Sequence, residues 1–209
     1  MWAWVSLRPV GDLEIEKQAF FAQFPQLAGT RVALFLARLH PKKGVDLLIR
    51  AFARVASADP RLRLVIAGPD ECGWKADLEQ LAVQLAIDNR VVWTGPLYGK
   101  LKQGALRAAE VLALPSHTEN FGISVVEAMA CGVPVLISNR VNIWREIESD
   151  GAGFAASADV EGMTALFERW LSIPAAARRR MGINALRSFA QRFELEHFGR
   201  EFIECLKSA

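Results

Sequence analysis

Two carboxylates eight residues apart, Glu119 and Glu127, stand on either side of a Phe121-Gly122 turn in residues 115–135, which read PSHTENFGISVVEAMACGVPV. The spacing predicts a helix from about Gly122 to Cys131, closed by Gly132 as a C-terminal cap. Glu119 then falls on the loop after an apolar run, and Glu127 one to two turns into the helix. The amides of Gly122, Ile123 and Ser124 come at the helix N-terminus, where they lack an intrahelical acceptor. That end carries about half a positive charge and suits a phosphate. Gly122 lets backbone approach a ligand closely. Read singly, Glu119 is better explained as a surface loop residue and Glu127 as a solvated helix residue.

The elements that would position these groups are legible as an alternation. Short apolar runs rich in β-branched residues occur at 31–37, 62–67, 91–93, 111–114 and 134–137, with a weak sixth at 153–156. Between them lie segments of helical period, such as Val45, Leu48, Ile49, Phe52 and Val55. Strand and helix in alternation imply right-handed βαβ units and a parallel sheet. Runs apolar at every position suit strands covered on both faces. The expectation is an α/β domain over residues 31–209: a doubly wound sheet of about six parallel strands, helices on both faces, and a helical tail. Residues 1–30 read as a lead-in segment containing a helix. Ligands of such sheets bind beyond the carboxyl ends of the strands. That edge would carry Arg38, Gly68-Pro69, Gly95-Pro96 and Pro115-Ser116.

Composition narrows the classes further. The chain has 209 residues, 52% of them hydrophobic and 23% charged, which excludes global disorder. A formal net charge of +2 is too small for a nucleic-acid footprint across the chain, so no nucleic-acid partner is expected. Cys72, Cys131 and Cys205 are few and widely spaced, which argues against a disulfide framework and fits a reducing cytoplasm. No apolar run reaches membrane-spanning length. The apolar N-terminus lacks a charged n-region and makes a poor signal peptide. No Asp-x-Asp occurs, and His40, His117 and His197 are scattered, so no metal site is implied. Arg178-Arg179-Arg180 reads as a solvated helix face.

The 115–135 stretch resembles the signature of the family 4 (group 1) retaining glycosyltransferases of GT-B fold. Those enzymes carry Pro-Ser, a Glu, Phe-Gly, a second Glu eight residues after the first, then Ala-Met-Ala-x-Gly-x-Pro-Val. A second similarity lies at Leu36-Ala-Arg38-Leu-His-Pro-Lys-Lys43-Gly44, where Ala37 replaces the family's usual glycine. Leu64 to Gly68 and Val91 to Gly95 are similar to the next two strand ends. The resemblance covers about residues 31–205 and implies a Rossmann-like, nucleotide-sugar-binding domain, the C-terminal half of a GT-B enzyme.

The resemblance also implies roles. Arg38 and Lys43 would bind the diphosphate of a nucleotide-sugar donor, with Lys43 starting the following helix. Those two cations and the amides at Gly122–Ser124 would stabilise the leaving group's growing charge. Without the motif, Arg38 and Lys43 are only a positive edge. Glu119, the catalytic candidate, would lie by the donor sugar. Asn120, Phe121 and Gly122 would meet the sugar hydroxyls through backbone amides. Glu127 would accept from the ribose hydroxyls, and the backbone at Leu97 would meet the base. No cofactor is implied beyond the nucleotide diphosphate sugar, which is the donor substrate.

Two function classes share these motifs. One is the donor-binding domain of a hexosyltransferase-like enzyme, inactive without an N-terminal acceptor domain that would bring the acceptor glycan, lipid or small molecule. The other is a stand-alone nucleotide-sugar-binding module or partner subunit without catalysis. A dinucleotide-dependent enzyme is excluded because no G-x-G-x-x-G follows the first strand. The stripe of Leu195, Phe198, Phe202 and Leu206 would favour a homodimer or partner if exposed. The expected location is cytoplasmic, with peripheral membrane association open for a full enzyme.

Overall fold

In the computed structural model, residues 13–194 are described. Six strands form one parallel sheet: β1 Arg31–Leu36, β2 Leu62–Ala67, β3 Val91–Gly95, β4 Ala109–Leu114, β5 Val135–Ser138 and β6 Gly153–Ala156. Their order across the sheet is β3-β2-β1-β4-β5-β6, so the winding reverses between β1 and β4. β1 runs in unbroken register with β2 from Arg31 opposite Leu62 to Leu36 opposite Ala67. Its pairing with β4 shifts between Val32 and Ala33. The expected parallel sheet is present, including the weak sixth run.

Among the described residues, eight α-helices connect and cover the strands: α1 Leu13–Gln23, α2 Val45–Val55, α3 Lys75–Gln84, α4 Gly99–Ala108, α5 Ile123–Ala130, α6 Trp144–Ser149, α7 Val160–Ser172 and α8 Ala175–Ser188. α2 packs on α3 and α7, while α1 packs on α4 and α5 on α8, which makes two helical layers. Leu34, Leu64, Leu112 and Leu136, on four strands, are fully buried between them. Phe52 of α2 meets Phe167 of α7 edge to face at 6.2 Å. These burials supply the main driving force for the fold.

Two local outcomes differ from the sequence expectations. Lys43 does not start α2; it ends a 3-10 turn over Pro41–Lys43. Pro41 opens that turn, the His40 imidazole caps it by accepting from the Lys42 amide at 3.1 Å, and left-handed Gly44 separates it from α2. Arg178 is not solvated. It donates to the carbonyl of Ile173 at 2.9 Å and pairs with Glu110 at 2.9 Å, whereas Arg179 and Arg180 are exposed.

At residues 13–23, inside the segment read as a lead-in, α1 is fastened to the sheet domain. Phe20 and Leu27 are fully buried, and Glu16 pairs with Arg107 of α4 at 2.6 Å, both side chains under a tenth exposed. After α8 the chain takes a wider turn over Phe189–Phe193. The stripe of Leu195, Phe198, Phe202 and Leu206 lies outside the described residues. Among the described residues, no helix is long and apolar enough to cross a membrane.

Candidate donor site

The loops leaving β1 and β4 diverge at the reversal of the sheet and bound a cleft. Gly44 brings them together. Its φ is +65°, and a Cβ there would fall 2.5 Å from the Pro115 carbonyl oxygen. Only glycine both takes that conformation and tolerates that approach. The His117 amide then donates to the Lys42 carbonyl at 2.9 Å, which ties the two loops side by side.

Glu119 is held from its other flank. Its amide donates to the Arg140 carbonyl at 3.1 Å, and its carbonyl accepts from the Asn142 amide at 3.1 Å. With its backbone clamped to the loop after β5, the Glu119 side chain turns toward β1, where it forms an ion pair with Lys43. Both side chains are less than a fifth exposed. Gly122 follows at φ +74° as the N-cap of α5, and its carbonyl accepts from the Val125 amide at 2.9 Å. The next two residues, Ile123 and Ser124, open the helix with their amides directed out of its first turn.

The cleft has two lobes. An inner lobe of about 440 Å³ is lined by Arg38, Lys43, Leu97, Glu119, Ile123, Ser124 and Glu127. An outer lobe of about 520 Å³ adds Asn120, Phe121 and Gly122. Arg38, Lys43, Glu119 and Ile123 border both. The structure thus gathers all ten sequence-derived candidates around one cleft. His117 is exposed on the connecting loop and lines neither lobe, and His40 is spent on its cap while its ring borders the outer lobe.

Three cations of the cleft, Lys43, Arg38 and Lys102, each have an acidic neighbour. Arg38 reaches Glu71, from the loop after β2, at 2.6 Å; both are exposed at the rim. Lys102 of α4 reaches Glu127 at 2.6 Å. Lys102 and the exposed Tyr98 line the inner lobe, and sequence reasoning passed over both. Neither belongs to a motif. The one available signal was the position of Lys102 near the start of the helix that follows Gly95-Pro96 at the sheet edge.

Such a cleft can do two things chemically. Its ammonium and guanidinium groups, with the α5 amides, can hold a multiply charged phosphate. Its clamped carboxylates can accept from hydroxyls or stabilise positive charge beside them.

A parallel sheet reversing between β1 and β4, with a cleft carrying charged side chains at that reversal, defines a doubly wound, Rossmann-like α/β domain. Residues 16–188 match the family model of the glycosyl transferases group 1, and the chain belongs to that family. A D-inositol 3-phosphate glycosyltransferase of Saccharomonospora viridis is 36% identical over 177 residues, covering 78% of this chain and 39% of that enzyme. Another of the same name, from Mycobacteroides abscessus, is 36% identical over 137 residues, covering 62% of this chain and 30% of its own. The chain therefore spans about 30% to 39% of these relatives' length. Among solved structures, Anabaena HepE in complex with UDP and glucose superposes with a TM-score of 0.79 at 23% identity, over 95% of this chain and 55% of that one. The C-terminal domain of the group 1 protein LpcC from Francisella tularensis gives 0.76 at 18%, over 91% of this chain and 97% of that domain. At these identities the structures show the fold.

Proposed function

We propose that this chain is the donor-binding part of a retaining glycosyltransferase, which moves a sugar from a nucleotide diphosphate sugar to an acceptor. The observation that carries the reading is the convergence of Arg38, Lys43, Glu119, Glu127 and the α5 N-terminus on one cleft. Arg38 and Lys43 take the diphosphate, and their charge with the Ile123 and Ser124 amides stabilises the leaving group as the glycosidic bond breaks. Losing one such donor typically costs about 3–4 kcal/mol of barrier, a hundredfold or more in rate. Glu127 accepts from the ribose, Leu97 borders the base, and Glu119 lies by the sugar with Asn120, Phe121 and Gly122.

Sugar transfer on this reading needs an acceptor-binding domain facing the cleft, and this chain alone binds donor with negligible transfer. The UDP in the HepE complex supports a nucleotide-sugar donor, and the name of the inositol-phosphate enzymes supports sugar transfer. Isothermal titration calorimetry with UDP, GDP and ADP tests the reading. At least one should bind the wild type and bind Lys43→Ala at least tenfold more weakly. Binding of none by the folded wild type would overturn the donor site. Acceptor-dependent turnover by the chain alone at ordinary enzyme rates would overturn the division of labour.

A further inference from the structure

Glu127 is enclosed, with its side chain 12% exposed. A carboxylate so enclosed is costly to leave unpaired. Lys102 supplies its partner. Its Nζ donates to Glu127 Oε1 at 2.6 Å across 25 residues of sequence. Its own side chain is 29% exposed and borders the inner lobe beside Leu97 and Tyr98. Glu127 Oε1 is thereby engaged by Lys102, and both residues border the inner lobe. A ribose offers two adjacent hydroxyls, both able to donate. A 2′-deoxyribose offers one fewer.

We propose that Lys102 is a positioning residue that fixes the Glu127 carboxylate so that the cleft selects ribonucleotides over 2′-deoxyribonucleotides. This rests on the nucleotide-sugar reading of the same cleft. An ammonium at this distance could otherwise act only through space on a bound diphosphate. That attraction would be blind to the 2′-hydroxyl, so the two roles separate experimentally.

The test uses calorimetry on the full chain, with whichever of UDP, GDP and ADP binds most tightly and its 2′-deoxy counterpart. Wild type should prefer the ribonucleotide about tenfold or more, the range of one hydrogen bond to a charged group. Lys102→Met, which keeps the length of the side chain, should bring the preference within about threefold, mainly by weakening the ribonucleotide. Lys102→Arg should restore most of the preference, and Lys102→Gln is a second neutral variant should the methionine disturb folding. Adding Lys102→Met to Glu127→Gln should change the preference no further. The proposal is overturned if Lys102→Met weakens both nucleotides equally with the preference intact, or if it changes neither. Failure of the donor-site reading looks different: the folded wild type would bind no ribonucleotide and no deoxyribonucleotide, and the proposal would fall with it.

Discussion

The ring of Phe193 meets the ring of Phe121 edge to face, with centroids 5.9 Å apart and planes at 79°. Phe193 ends the wide turn after α8, and Phe121 sits two residues past Glu119, so the far end of the domain braces the loop proposed to face the sugar. Arg192, just before Phe193, pairs with Asp150 through two bonds of 2.7 and 2.9 Å, which fixes the turn. An aromatic pair of this geometry is worth about 0.5–1.5 kcal/mol. Phe193→Ala is therefore expected to weaken a nucleotide sugar several-fold while leaving the bare nucleotide diphosphate nearly unchanged, with Phe193→Tyr close to wild type. Equal weakening of both ligands in calorimetry would contradict this.

Lys43 and Glu119 form an ion pair in the cleft. A diphosphate must compete with Glu119 for the ammonium. Glu119→Gln should accordingly keep or improve binding of the nucleotide diphosphate, while Lys43→Ala weakens it about tenfold or more, the scale of a charge-assisted hydrogen bond. Calorimetry on the two variants checks the opposite signs.

Gly122 holds φ at +74°, and a Cβ there would sit 3.2 Å from side-chain carbons of Val125 and Val141. Gly122→Ala should cost about 1–2 kcal/mol for the left-handed backbone. Gly44→Ala should cost more, because its Cβ would collide with the Pro115 carbonyl rather than with side-chain tips. Urea unfolding curves would rank the two.

Acid should loosen the end of the sheet opposite the cleft. The Arg31 side chain, donating at 2.7 Å, holds the Asp59 carboxyl below the ordinary carboxylate range, with the Arg61 amide assisting. A carboxylate lowered in the folded state stabilises fully above its unfolded value of about 3.9 and loses that contribution as pH falls through the folded value. The melting temperature of wild type should therefore exceed that of Asp59→Asn at pH 6–7, and the gap should narrow below about pH 4. A gap constant across that range would exclude the linkage.

Glu16 and Arg107 form the most enclosed ion pair named above, joining α1 to α4. Arg107→Ala strands a buried carboxylate and should cost about 3–5 kcal/mol. The double change Glu16→Leu with Arg107→Met should recover most of it. Denaturant midpoints of the single and double variants decide the matter.

Most of the architecture was legible because its signals are local. Buried parallel strands announce themselves as unbroken apolar runs, and Pro115 to Val135 carries turn, helix start and cap in one continuous stretch. Lys102 was illegible for the opposite reason: a lysine on a polar helix looks the same whether it meets water or, as here, Glu127 across the cleft. The same holds for Arg178, one of three successive arginines, of which only this one reaches Glu110. The 3-10 turn ahead of α2 depends on the His40 cap, a contact that neither periodicity nor charge reveals.

The strand order has a consequence for synthesis on the ribosome. β1 finds its partner β2 early, but its other neighbour, β4, lies nearly 80 residues further on, and Lys43 meets Glu119 only after both loops are built. A chain emerging from its N-terminus can assemble β1 on β2 and β2 on β3 while the opposite edge of β1 still waits, unpaired and apolar. Neither half of the sequence contains the cleft, so competence to bind a donor arrives late and all at once, and until then that edge is the part of the nascent protein most in need of a chaperone.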